Sequence, residues 1–402
     1  MAAQVSHEVN LGLRKFETSS TLKTISSVFM LIGVLGFVYG LLRDQERMWT
    51  SYLVAFFYFS CLGLGGLFFA SINHVSKAGW SVTVRRYAEG MSAFIPLMLF
   101  FGVILLFGVN KLYSWADPEV IASSPLVAAK TSYLNTGFLG GRIVLFCVGF
   151  WLFRRALVNN GSVKQDETGD AGLTLSAVGK SIAFILFFAM AFSLFAVDLL
   201  MSLLPTWYST IFGIYCFSGL FQSSLAVLAI IIIYMKRNGF VKGYVTSEHL
   251  HDVVKYLKAF TVFWAYIAFS QFMLIWYANI PEETEYYIMR SQNGWLGISL
   301  ALLIFRFIVP FIALLPRGAK RNESHVILVS CLVLVMQYVD IYWMVYPNFF
   351  DGVLTFGILE VAIFLGFLGV FMASVFHFFT KHNLVAIKDP RMDEALNHHV
   401  TY

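Results

Sequence analysis
Two aspartates interrupt long apolar runs. Asp340 lies in Met336-Gln-Tyr-Val-Asp-Ile-Tyr-Trp-Met-Val-Tyr-Pro347, and Asp198 in Val197-Asp-Leu-Leu-Met-Ser-Leu-Leu-Pro205. A carboxylate at membrane depth is costly. Such groups face a bundle interior or a water path, where they relay protons, hold ions or pair with a cation. Arg142, Arg306 and Glu360 also fall inside apolar runs. At roughly 1.5 Å of rise per residue, Asp198, Asp340 and Arg142 lie about 9 Å from the outer ends of their runs, and Glu360 about 11 Å. These four share a layer in the outer half. Arg306 sits deeper, with Gln271 near its level, and His74, Glu89, Lys180, His325 and His377 cluster at the inner ends.

The set supports two readings. In one, the charges are buried ion pairs that lock helices together, Arg142 with Asp198 and Arg306 with Asp340. In the other, they form a proton route: Asp198, Asp340, Glu360, Arg142 and Arg306 in its outer half, and Glu89, His74 and His377 at its inner mouth. Glu89, Lys180 and His377 are close enough to the interface to snorkel. A transmembrane haem is not expected, because the candidate histidines sit at one end of the runs. The pair His398-His399 is weak as a metal site.

The elements that carry these residues follow from composition. The 402-residue chain is 58% hydrophobic and 13% charged, against about 25% charged in soluble domains. This is the composition of an all-α integral membrane protein. The net charge of +5 is no nucleic-acid signal, because the basic residues sit between apolar runs. Cys61, Cys147, Cys216 and Cys331 have no metal-ligand spacing and read as core residues. The first twenty residues lack the apolar core of a cleavable signal peptide, so the first span is expected to direct insertion.

Runs of about 20 apolar residues predict ten transmembrane helices, near 24–42, 50–73, 88–109, 136–153, 181–204, 208–235, 256–280, 294–315, 325–346 and 353–380. Of the 28 Lys and Arg residues, only Arg43, Arg47, Lys111, Lys130 and Arg290 fall on one side, and 21 on the other. The positive-inside rule then makes both termini cytoplasmic. The segment Asn159 to Gly172 reads as solvated turn. Ser247 reads as the N-cap of a short interfacial helix before the seventh span. The polar tail from Asp389 is expected to lie in water or dock on a partner.

Spans two to five and six to nine read as parallel copies of a four-helix unit. Each fourth helix carries Val-Asp and a Pro exit. Each third helix begins with a related glycine pair, Gly137 and Gly140 or Gly294 and Gly297, and carries one arginine, though the arginines are out of register. The expected architecture is two four-helix bundles flanked by a first and a last helix: 1–49, then bundles over 50–204 and 205–350, then 351–402.

The seventh span and following loop, Ala268-Phe-Ser-Gln-Phe-Met-Leu-Ile-Trp-Tyr-Ala-Asn-Ile-Pro-Glu-Glu-Thr-Glu-Tyr-Tyr287, read physically as an interfacial aromatic belt. The string also resembles the ActF-type membrane subunit of bacterial alternative complex III, in the NrfD/PsrC-like family. Ser76-Lys-Ala-Gly-Trp80, Arg86-Tyr-Ala-Glu-Gly90 and Asp389-Pro-Arg-Met-Asp-Glu-Ala-Leu-Asn-His-His399 fit the same resemblance, which covers essentially the whole chain. The resemblance implies a subunit of a quinol:cytochrome c oxidoreductase in the bacterial inner membrane. It implies a paralogous ActC-type subunit as the better candidate for the quinol site. Iron–sulfur and multihaem cytochrome c subunits would hold the clusters and haem c, none being bound by this chain. If a quinone (menaquinone or another) binds here, Arg142, Asp198 and Gln271 are the candidate site, because quinol oxidation needs a proton acceptor. Two rival readings remain: a stand-alone ion-coupled transporter and a purely structural anchor. Transporters place Gly or Pro breaks at matched positions of two halves. Pro96 and Pro310 are not matched.

Overall fold
The computed structural model describes residues 15–399. Ten helices are long and apolar enough to cross a membrane: α1 (Ser20–Arg43), α2 (Gln45–Val75), α3 (Gly79–Leu112), α4 (Thr136–Thr168), α5 (Ala171–Leu203), α6 (Phe212–Arg237), α7 (Ser247–Ala278), α8 (Trp295–Ala313), α9 (Glu323–Asn348) and α10 (Ile358–Lys381). The protein is therefore a multi-pass helical membrane protein, and no strand occurs among the described residues. With no water in the bilayer core, helices satisfy their own backbone groups. Their exposed ends use side chains: Asp44 accepts from the Arg47 amide, Asn135 from Phe138 and Asn322 from His325. We call the side where α1 begins and α10 ends the terminal side, and the other the distal side.

At the centre stands α2, buried along nearly all its length. It packs on α3, α5, α6, α9 and α10. Contacts also join α3 to α4, α4 to α5, α6 to α7 and α9, and α8 to α7 and α9, while α1 lies along α10. The last contact is close because Gly33 faces Gly366, where an added Cβ on Gly33 would stand 2.2 Å from the Gly366 Cα.

Each expected span coincides with one helix, and several helices run further on the terminal side. The segment expected as turn from Asn159 is instead helical to Thr168, through a wide π segment over Arg155–Val163. It closes at Gly169, whose φ of +75° suits glycine. Its Gln165 and Asp166 are buried, because the C-terminal segment lies on them. No separate interfacial helix precedes α7. Thr246, not Ser247, is the N-cap, in a reciprocal box with His249, and the helix is continuous to Ala278.

The C-terminal segment docks on the protein's own terminal side. Asn383 Nδ2 donates to Asp166 at 2.9 Å, Gln165 Nε2 to the Lys388 carbonyl at 2.6 Å, and His398 Nε2 meets Asp252 at 2.6 Å.

Candidate functional site: three buried arginine–carboxylate–tyrosine sets
The charged residues inside the spans form separate sets with one recurring composition. In the first, α4 supplies Arg142 and α5 supplies Asp198. The guanidinium grips the carboxylate with two bonds, Nε to Oδ2 at 2.7 Å and Nη2 to Oδ1 at 3.0 Å. The Tyr133 hydroxyl donates to the same Oδ1 at 3.0 Å, and the Tyr133 ring lies 3.8 Å from the guanidinium carbon. Tyr133 precedes α4, and burial together with the Asp198 charge pushes its phenol up to about 12. It therefore remains a proton donor to Asp198 at neutral pH.

In the second set, α8 supplies Arg306 and α9 supplies Asp340. Arg306 Nη1 lies 2.8 Å from Asp340 Oδ2, and the other guanidinium nitrogens donate to Gln222 at 3.2 Å and to Gln337. Asp340 Oδ1 accepts from the Tyr215 hydroxyl, and Arg306 lies over the Trp264 ring at 4.5 Å. The local backbone explains how an arginine so far from its helix start reaches this carboxylate. Pro310 has no amide hydrogen and its ring crowds the carbonyl four residues earlier, which is that of Arg306. The chain opens into a π segment over Leu302–Ile308, the kind of bulge frequent at functional sites.

In the third set, Glu360 of α10 is held by Arg47 of α2, at 2.5 Å from Nε and 2.7 Å from Nη2. Tyr346 donates to Glu360 Oε1 at 3.0 Å and meets the Ser51 hydroxyl at 2.9 Å. The Gly357 amide donates to Oε2 at 2.7 Å.

A fourth set, at the terminal side, has a different make-up. Arg85 lies between Glu89 (3.4 Å) and Asp389 (2.7 Å), and Arg86 between Glu89 (2.9 Å) and Asp166 (3.5 Å). Glu89 is therefore buried in ion pairs and does not snorkel. His74 is buried beside this set, with no hydrogen-bond partner for Nδ1. His377 is exposed on α10 and stands apart.

Sequence reasoning anticipated both aspartate–arginine pairs. It missed Arg47, assigned to a loop, and the three tyrosines, which look like any other aromatic in an aromatic-rich chain. It also missed Arg85 and Arg86, read as loop charges although both are buried. Gln271 receives the Ser209 hydroxyl and donates to Tyr287, both at 3.3 Å. Those partners engage it elsewhere than on Arg142 and Asp198. Among the described residues, no hydrogen bond links one arginine–carboxylate set to another.

Chemically, each carboxylate is neutralised by a cation and also holds a phenol proton at hydrogen-bond distance. Such a group can take up a proton only as its arginine loosens. No family model matches the chain, and no curated protein matches it.

Proposed function
We propose that this chain is a membrane subunit of a respiratory quinol-oxidising complex of the alternative complex III type, in the bacterial cytoplasmic membrane. Its three buried carboxylates would be stations for proton exchange. The terminal side would be cytoplasmic, in keeping with the excess of Lys and Arg there. The observation that carries the proton reading is the threefold arginine–carboxylate–tyrosine pattern within the spans. Pure anchoring needs no ionisable group at that depth, whereas intramembrane carboxylates commonly mark relays.

Electrons from quinol would pass to haem c and iron–sulfur centres in partner subunits, beside a paralogous ActC-type subunit. We route no quinone step through this chain. Arg142 and Asp198 saturate one another and Gln271 is engaged by Ser209 and Tyr287, so these residues offer a quinone no free group. The two-unit reading gains support from the pairing of a third-helix arginine with a fourth-helix aspartate in each unit.

The test is Asp198→Asn and Asp340→Asn in the assembled complex, purified through a tag on this chain. A large assembly with c-type haem absorption is expected, with a lowered proton-to-electron ratio in at least one variant. A colourless lone protein would overturn the complex assignment. Unchanged stoichiometry and turnover in both variants would overturn the relay.

A further inference from the structure
A cleft of about 520 Å³ runs along the seam of α2, α6, α9 and α10, in the size range of ligand sites. On α10 its wall extends from Glu360 to Phe376, a rise of about 24 Å. One leaflet supplies only about 15 Å of hydrocarbon depth, half of a bilayer core of roughly 30 Å. The cleft is therefore longer than the hydrocarbon depth of one leaflet.

Its wall is apolar and rich in aromatic faces, among them Phe59, Phe364 and Phe371. Polar groups occur at the distal end. Tyr342 and Tyr346 beside it donate to the Thr355 carbonyl at 2.6 Å and to Glu360 at 3.0 Å. Tyr338, which lines the cleft and packs on Phe364, makes no hydrogen bond among the described residues. Glu360 lines the same end, but Arg47, Tyr346 and the Gly357 amide occupy its oxygens. The end thus offers one free donor and no free acid.

We propose that this cleft holds an isoprenoid-tailed lipid, its chain along α10 and its head accepting a hydrogen bond from Tyr338. An isoprenoid chain can exceed one leaflet, and its flat unsaturated units suit stacked aromatic faces. With no free acid at the head, this is a holding site at which no bond is made or broken. It does not depend on the proton role.

The experiment uses native membranes containing the full chain, irradiated with a solanesyl probe that carries a diazirine. Labelled peptides are then mapped. Label is expected on Cys331–Tyr338 and Glu360–Phe376, above the background on the lipid-facing side of α7 at Phe269 and Trp276. Val335→Trp and Val361→Trp should each reduce the cleft label about tenfold. Both positions are exposed, at 60% and 44%, so the core is left intact, and unchanged thermal unfolding in detergent confirms the fold. Tyr338→Phe should weaken retention about two- to tenfold, the worth of one hydrogen bond. Solanesol should compete and phosphatidylethanolamine at equal mole fraction should not. Equal labelling of α7 and the cleft would overturn the proposal. So would equal competition by phosphatidylethanolamine, which would make the occupant ordinary bilayer lipid.

Discussion
Arg306 and Pro310 stand four residues apart on α8, and the missing proline amide falls opposite the arginine's own carbonyl. The π segment that results brings the Arg306 guanidinium to 2.8 Å from Asp340. Pro310→Ala restores that amide. By helix propensity alone it should stabilise α8 by up to about 3 kcal/mol. We expect a net loss of thermal stability in detergent, because a regular helix turns Arg306 away from Asp340. In an Arg306→Met, Asp340→Leu background the same substitution should turn neutral or stabilising. A stabilised single variant would show that the π segment does not position the pair.

The Arg306–Asp340 and Arg47–Glu360 pairs should differ in cost when broken from the cationic side. Arg306 is fully buried, so Arg306→Leu leaves Asp340 uncompensated and should cost about 3–5 kcal/mol. Arg47 keeps 23% of its side chain exposed, and Glu360 retains Tyr346 and an amide. Arg47→Leu should therefore cost less, about 1–3 kcal/mol. Chemical unfolding in mixed micelles measures the order, and equal costs would refute the burial argument.

Docking of the C-terminal segment should weaken as pH falls. Burial raises the Asp389 carboxyl, but Arg85 and Arg391 outweigh it and hold the group below the ordinary carboxylate range. Burial also lowers His382, with Arg86 adding to the effect. In both cases the undocked chain binds protons more readily, so stability rises with pH. The His382 contribution should be lost first, as pH falls below about 6.5, and that of Asp389 below about 4. A nitroxide on Asn397→Cys should report growing mobility over those two steps. Asp389→Asn should remove the lower step and leave the upper one.

The ten helices were legible because a spanning run is long and almost free of charge. The packing order was not. In a bilayer the outward face is as apolar as the core, so nothing in its pattern distinguishes the buried α2 from α8, which is largely exposed to lipid. The Arg142–Asp198 and Arg306–Asp340 pairs were legible because each charge stood alone in its run. Arg47 was not, since its partner Glu360 is 313 residues away and the arginine sits at a helix start. Arg290 shows a third case. It is buried without a carboxylate, donating to the Trp343, Met344 and Tyr286 carbonyls, and carbonyls at a helix end leave no mark in a sequence.

The joint between α1 and α10 rests on two glycines, and that makes it separable from the charged sets. An added Cβ on Gly366 would stand 2.6 Å from the Gly33 Cα, backbone that has no side chain to move aside. Close approach of small residues is a main source of helix association where lipid competes equally for apolar surface. Gly366→Val should therefore push α1 from α10 while leaving Arg142–Asp198 and Arg306–Asp340 in place. Cysteines at Val34 and Val370, which line one groove beside the contact, should be bridged by a flexible bifunctional maleimide in the parent chain and lose most of that crosslinking in Gly366→Val. The unfolding midpoint should fall by much less than in Arg306→Leu. Retained crosslinking would mean that α1 is held by its contacts with α2 and not by the glycine seam.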